Sequence, residues 1–243
     1  MVGGDARPRR RLRADAEANL DRVIDAAEAV FAEHGLEVSI EVVARRAGVG
    51  LGTIYRRFAN KDALIAELVT RLLSDVVAIA EQHLNDPGGA GLVNYLEEVG
   101  ELLATNRGCL ARLWSVPETE DLVARSRRLQ GELLDHAKSH GVVRDDLTKE
   151  DVAVALWSVH GVLDVTRGHR EQAWRRHLQL LIAGLTAHGA TVTAPPLTAA
   201  QMTRIIRESP PKGSPHRAAR EPRTPTPLSR GKPDPDVAGG QQE

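Results

Sequence analysis

The stretch from Gly48 to Leu64, GVGLGTIYRRFANKDAL, sets three glycines within five residues, followed by a hydroxyl, a phenol and two adjacent arginines. Glycines let another backbone approach, hydroxyls donate to phosphate oxygens, and a guanidinium grips either a phosphate or a guanine edge. The chemistry on offer is phosphate binding, in one of two forms: a loop that cradles a nucleotide, or a helix aimed at DNA. Charge suits both, because Arg45, Arg46, Arg56, Arg57 and Lys61 fall in this region with no carboxylate from Arg45 to Lys61. A cationic run of this kind also fits a plain solvated face.

A nucleotide cradle requires a preceding parallel strand that delivers phosphate to a helix N-terminus. Here the preceding residues, Ser39 to Ala47, have helical spacing behind a capping hydroxyl. The glycines also miss the G-x-G-x-x-G pattern, and no G-K-S/T follows. Two helices crossing steeply need something else: a small residue at the approach, a glycine able to take positive φ in the turn, and an apolar anchor from the second helix. Ala44, Gly48 and Ile54 fill those roles. With Ile54 and Phe58 inward, the outer side of the second helix presents Leu51, Thr53, Tyr55, Arg56 and Arg57.

Other constellations are weaker. His136 and His140 share a helix face without an evident third metal ligand, which fits a pair of exposed histidines near a helix C-terminus better than a metal site. His160 and Asp164 share a face of an apolar helix, where a buried polar group needs a partner, either in the core or on a ligand. Tyr95, Trp114 and Trp157 fit either a pocket wall or ordinary core packing. Cys109 has no neighbours that would activate a thiol. No arrangement of nucleophile and base is apparent, so no enzyme activity, cofactor or metal is expected.

These residues are carried by a chain that reads as helical throughout. From Asn19, apolar positions recur at helical spacing until Gly35; a short helix follows Ser39 and ends at Gly48, and the segment Thr53 to Phe58 resumes the pattern. Asn60 caps a long amphipathic helix that runs to the breaker NDPGGAG. Further helices are expected over Leu92 to Asn106, Cys109 to Val116, Pro117 to His140, Lys149 to Thr166 behind a Thr148 cap, and Glu171 to His188. The last two are apolar on more than one face, which fits burial against a second copy of the chain as well as the helix's own bundle; a central core helix would explain one of them. Ten of the thirteen prolines lie beyond Ala190, where disorder is expected, with a short helix conceivable around LTAAQMTRIIRE.

The bulk numbers bound the rest. The 243 residues are 42% apolar, enough for a real core, and the single cysteine excludes an intrachain disulfide framework. No segment approaches about 18 uninterrupted apolar residues, and no basic stretch precedes an apolar leader, so the chain reads as cytoplasmic with no membrane partner. The net charge of −1 is uninformative, but the run RPRRRLR at Arg7 to Arg13 holds five arginines and no acid. It reads as a flexible arm, either reaching a minor groove or adding non-specific attraction to DNA.

Residues 18 to 65 resemble the DNA-binding domain of TetR-family transcriptional regulators, through VIDAAEAVFAEHG (Val23 to Gly35), SIEVVARRAGV (Ser39 to Val49) and GTIYRRFANKDAL (Gly52 to Leu64), in register without a gap. HGVVRDDLTKEDV and WRRHLQLLIAGL are similar to the SbtR-like class of C-terminal domains within that family. The resemblance implies an all-α homodimer of about nine helices per chain: a basic arm at 1–17, a three-helix helix-turn-helix domain at 18–64, a ligand-binding and dimerisation bundle at 65–188, and a disordered tail at 189–243. It implies double-stranded DNA with a palindromic operator as partner, and a small-molecule effector of unknown identity that releases a repressor. Carried over by position, Thr53, Tyr55, Lys61 and Ser39 contact phosphate. Arg56 and Arg57 face the duplex, with Arg56 on guanine and Arg57 on phosphate, or the reverse. Gly50, Leu51 and Gly52 complete the expected DNA surface; Gly50 stands where serine or threonine is common, and Leu51 where a polar residue is frequent, so one base contact is apolar or absent. Tyr95, Trp114, Trp157 and His160 are the expected effector-pocket residues. The competing class is a helical small-molecule or nucleotide-binding protein, or an enzyme, without specific DNA binding.

Overall fold

The computed structural model describes residues 6–113, 116–166, 171–186 and 192–208, with residues 6–17, 111, 171 and 206–208 as backbone alone. Among the described residues the fold is all-α, with nine α-helices and no strand. Helix α1 is Ala6–His34, α2 Ile40–Ala47, α3 Leu51–Arg57 and α4 Lys61–His83. After a turn come α5 Gly91–Thr105, α6 Glu120–Ser139, α7 Lys149–Thr166, α8 Glu171–Thr186 and α9 Ala199–Glu208.

Helices α1 to α3 close around Val23, Ala27, Val30, Phe31, Val43 and Ile54, all buried. This cluster runs without a break into the bundle core through α4, which buries Leu64, Ile65, Leu68, Val69, Leu72 and Leu73 along one stripe. At about 1.5 Å per residue α4 is about 34 Å long, so one rigid element reaches from the helix-turn-helix to the bundle. Its N-terminus is capped as its sequence suggests: the Asn60 side chain accepts from the Ala63 N–H at 2.8 Å. In the bundle, α5 packs so closely on α8 that a Cβ at Gly100 would fall 2.8 Å from Leu178 and 2.9 Å from Trp174. Thr148 caps α7 reciprocally with Asp151, the Thr148 N–H donating to Oδ2 at 2.8 Å and the Asp151 N–H to Oγ1 at 3.3 Å.

Two segments depart from expectation. Helix α1 begins at Ala6, so the backbone of the basic run Arg7 to Arg13 is helical rather than a flexible arm. Pro8 falls in the first turn, where its missing N–H costs nothing, and arginine, alanine and leucine then favour the helix. Of the expected helix from Cys109 to Val116, the described residues form a single 3-10 turn, Leu110–Arg112. Between Gly108 and Pro117 too few residues remain to offset helix nucleation. Pro117 itself opens a 3-10 turn, Pro117–Thr119, and α6 follows from Glu120. Within the expected disordered tail, the short helix conceivable around LTAAQMTRIIRE forms as α9, behind a capping box in which the Thr198 N–H donates to Gln201 Oε1 at 2.8 Å and the Gln201 N–H to Thr198 Oγ1 at 3.2 Å. Met202 is its buried residue. Residues 209–243, the rest of that tail, lie outside the described residues.

Candidate nucleic-acid interface

The turn that aims α3 is built by one glycine. Gly48 sits at φ 66°, ψ 32°, and the chain there closes a Schellman motif: the Gly48 N–H donates to the Arg45 carbonyl at 3.3 Å and the Val49 N–H to the Ala44 carbonyl at 3.1 Å. Gly50 is the N-cap of α3 at φ −70°, ψ 145°, its carbonyl accepting from the Thr53 N–H at 2.8 Å. Ile54, 1% exposed, and Phe58, 5% exposed, anchor α3 on α1 and α2. The anchoring residues are four apart, which fixes the rotation of the helix and hence which side chains face outward.

On the outer face Tyr55, Arg56, Arg57 and Gly52 are exposed and Thr53 is half-buried. Leu51 is half-buried and packs against the core, so only part of it stays on that face. A Cβ at Gly50 or Gly52 would meet nothing within 4 Å, so no intramolecular packing demands glycine at either place. Ser39 occupies the N-cap of α2 without capping it. Its hydroxyl instead hydrogen-bonds the Glu41 carboxyl and holds it below the ordinary value. Lys61 stands half-buried in the first turn of α4. Arg45, Arg57 and Lys61 form no ion pair among the described residues, while Arg46 pairs with Glu33 at 3.2 Å.

Sequence reasoning missed one link. The Arg56 guanidinium lies back along α3, donating from Nε to the Gly52 carbonyl at 3.3 Å and from Nη2 to Thr53 Oγ1 at 3.2 Å. Because Oγ1 accepts, the hydroxyl proton of Thr53 remains free to donate outward. The spacings of three and four residues were the available signal.

A second site lies in the bundle: an internal cavity of about 50 Å³ among α4, α5, α6 and α7. Trp157 and His160 line it, together with Arg127, Gln130 and Ser126, which sequence reasoning did not single out. Tyr95 stands behind this wall, fully buried, its Oη accepting from Gln130 Nε2 at 2.9 Å. Burial pushes its phenol up, although the hydrogen bonds with Gln130 and Ser126 oppose this. Trp114 lies outside the described residues. His160 and Leu110 also line a groove beside the end of α1, with Asp164, His34 and Gly108. At Gly108 the loop after α5 touches α1: a Cβ there would fall 2.5 Å from the Phe31 carbonyl carbon and the Ala32 nitrogen. Burial, reinforced by the charge of Glu28, pushes the Cys109 thiol up to about 12, which leaves it protonated and unreactive at neutral pH. His136 and His140 pack edge to face at 4.5 Å, with His140 Nδ1 3.0 Å from the His136 carbonyl.

Comparison with known proteins meets the same two regions. The family model of bacterial regulatory proteins of the tetR family matches residues 23–68. That of the C-terminal domain of SbtR-like transcriptional regulators matches residues 86–187, and together the two cover more than half of the chain. The HTH-type transcriptional regulator SA2364 of Staphylococcus aureus (strain N315) is 33% identical over 76 residues, which is 31% of this chain and 41% of that protein. The chain thus spans about 41% of the length of the curated relatives it matches. Among solved structures, a TetR transcription regulatory protein from Mycobacterium vanbaalenii is similar at TM-score 0.54 and 28% identity, covering 72% of this chain and 99% of that one. The TetR transcriptional regulator SCO0520 from Streptomyces coelicolor is similar at TM-score 0.54 and 26% identity, covering 70% and 99%. SmeT, the repressor of a Stenotrophomonas maltophilia multidrug efflux pump, shares the fold at TM-score 0.51 and 22% identity, covering 73% and 96%.

Proposed function

The chain belongs to the TetR family of bacterial regulatory proteins, and we propose that it is a sequence-specific DNA-binding transcriptional regulator, a repressor released by a small molecule. The observation that carries this reading is the outer face of α3, where phenol and guanidinium groups stand exposed beside the half-buried Thr53 hydroxyl on a helix locked by the Gly48 turn and the Ile54 and Phe58 anchors. In this reading 18–64 is the DNA-binding domain and 65–188 the dimerisation and effector bundle. Arg56 reads a guanine edge, and Arg57, Thr53, Tyr55, Lys61 and Ser39 hold phosphates. The bare backbone at Gly50 and Gly52 lets the start of α3 approach the duplex. The bonds from Arg56 to Gly52 and Thr53 limit its rotamer freedom before contact, so less side-chain entropy is lost on binding.

Two copies are required to span a palindrome. Exposed Val154 and Val165 on α7 and Leu180 on α8 are apolar surface suited to a partner copy. Two recognition helices then enter major grooves about 34 to 36 Å apart, or a multiple of it. The effector belongs in the bundle cavity. Effector pockets for drug-sized ligands measure about 300 to 1,000 Å³, so a cavity of about 50 Å³ is the closed form. Entry of a ligand parts the helices around it, including α4 through Leu73 and Val76, and shifts the two α3 helices relative to each other. A ligand does this only by binding the two forms unequally. No catalytic step enters this reading, and a cytoplasmic location goes with it.

Gel shift of purified protein on a palindromic fragment from its own upstream region tests the proposal, with ATP and GTP titrations alongside. Specific shift at nanomolar to micromolar protein is expected, with Arg56→Ala costing about 1 to 3 kcal/mol on the preferred site, roughly fivefold to 150-fold. Tight nucleotide binding without a specific shift overturns the proposal. Equal loss on random DNA would make Arg56 a phosphate contact.

A further inference from the structure

The cavity in the bundle carries its own specification of what enters it. Its wall holds one fixed charge, the Arg127 guanidinium, together with the titratable His160, and no carboxylate. Four other arginines of the bundle have carboxylate partners: Arg125 pairs with Glu81, Arg128 with Glu132 at 3.6 Å, Arg144 with Asp146 at 2.6 Å, and Arg175 with Glu101. Arg127 Nη2, by contrast, is buried with no hydrogen-bond partner among the described residues. Glu132 and Asp135 line a recess that Arg127 also borders, yet neither accepts from that nitrogen. One guanidinium nitrogen of this half-buried residue is thus left buried and unpaired, which is costly, and its natural complement is an anion.

The neighbouring polar groups satisfy one another and leave Arg127 as the unpaired donor. Gln130 donates through Nε2 to Tyr95 Oη at 2.9 Å and to Ser126 Oγ at 3.3 Å. Ser126 Oγ accepts from Gln130 and its hydroxyl also hydrogen-bonds the Tyr95 phenol, so it belongs to a closed network at the polar end of the cavity. Most of the remaining wall is aliphatic, including Leu73, Val76, Val99 and Leu103. A ligand complementary to both ends has an apolar body and one planar anion, the shape that a guanidinium fork takes in two parallel hydrogen bonds. A cation has no carboxylate to receive it, and a dianion would need a second positive charge.

We propose that the bundle cavity takes an apolar monocarboxylate, its carboxylate held by Arg127 and its body by the aliphatic wall. This rests on the reading of the cavity as the effector site. Isothermal titration of the full-length protein with two matched pairs, decanoate against decanol and 2-naphthoate against 2-naphthol, tests it. At least one carboxylate should bind tenfold or more tighter than its neutral partner. Arg127→Met should lower that carboxylate's affinity at least tenfold and leave the neutral partner within twofold, and Arg127→Lys should restore part of the preference, with thermal melts verifying that both variants fold. Equal affinities within both pairs, undiminished carboxylate binding in Arg127→Met, or no binding of any of the four overturns the proposal. The titration contains no DNA, so the two readings fail separately: a carboxylate that binds as stated but leaves the gel shift unchanged removes the effector role and retains the ligand class.

Discussion

Gly108→Ala probes the contact between the loop after α5 and the end of α1. The new Cβ would stand 2.5 Å from the Phe31 carbonyl carbon and the Ala32 nitrogen, and 2.8 Å from Phe31 Cβ, where ordinary contact begins at 3.4 Å. The loop must therefore retreat by about an ångström, since the obstacles are helix backbone and a side chain that is 1% exposed. Overpacking of this kind costs about 1 to 3 kcal/mol. At roughly 2 to 4 °C per kcal/mol for a protein of this size, the melting midpoint should fall by about 2 to 12 °C. Gly131→Ala, in the interior of α6, is the control: a Cβ there meets nothing within 4 Å, and alanine in place of glycine should stabilise the helix by about 0.5 to 1 kcal/mol. The assay is a circular dichroism melt of the three proteins without DNA. A Gly108→Ala midpoint within 1 °C of the parent, or a fall in both variants, refutes the reasoning.

Two further outcomes follow from backbone and titration. Gly48→Ala places a side chain at φ 66° with nothing within 4 Å, so the cost is the left-handed conformation alone, about 1 to 2 kcal/mol, and urea unfolding should show it with Gly48→Asn less affected. Burial disfavours the charged His83 ring, but hydrogen bonds with Glu98 and Asp86 outweigh this and raise its pKa above 6.5. Its stabilising contribution is then fully present below about pH 6.5 and is lost as pH rises through the raised folded value. The gap in melting temperature between the parent and His83→Gln should accordingly shrink from pH 6 to pH 9, and a constant gap would exclude the charge of His83 as its source.

Helices α2, α3 and α4 are legible in the sequence because their limits are set locally. Gly48 closes the Schellman turn, Asn60 caps α4 with its own side chain, and Ile54 and Phe58 mark the inner side of α3 by spacing alone. Local reasoning fails where tertiary contacts decide. The Leu110 to Arg112 region has helical spacing, but the glycine that precedes it abuts α1, 76 residues earlier at Ala32, and nothing near Gly108 in the sequence announces that. The cavity is similar: Ser126, Arg127 and Gln130 sit on a helix whose sequence looks merely polar, and only the approach of α4, α5 and α7 turns that edge inward. Aromatic residues drew attention to Tyr95, yet it supports the wall through Gln130 rather than forming it.

Magnitudes also decide which of the contacts between the helix-turn-helix and the bundle can carry a regulatory signal. Two are ion pairs at the surface, Arg112 with Asp62 at 3.5 Å and Arg71 with Asp21 at 3.3 Å, each with a carboxylate more than half exposed. Such pairs contribute about 0 to 1 kcal/mol each and weaken with salt. A tenfold change in DNA affinity requires a coupling of about 1.4 kcal/mol, which neither pair supplies alone. The packed contacts have the needed size: the Gly108 loop on α1, and α4 itself, whose Leu73 and Val76 line the cavity about three turns from Lys61. Leu110 joins the two routes, since it lines the cavity and stands two residues from Gly108. A ligand that displaces Leu110 moves the loop against rigid helix backbone, so the displacement is passed to α1 rather than absorbed. On this account regulation persists at high salt although DNA affinity itself falls, and a response to effector that vanished with salt would assign the coupling to the ion pairs instead.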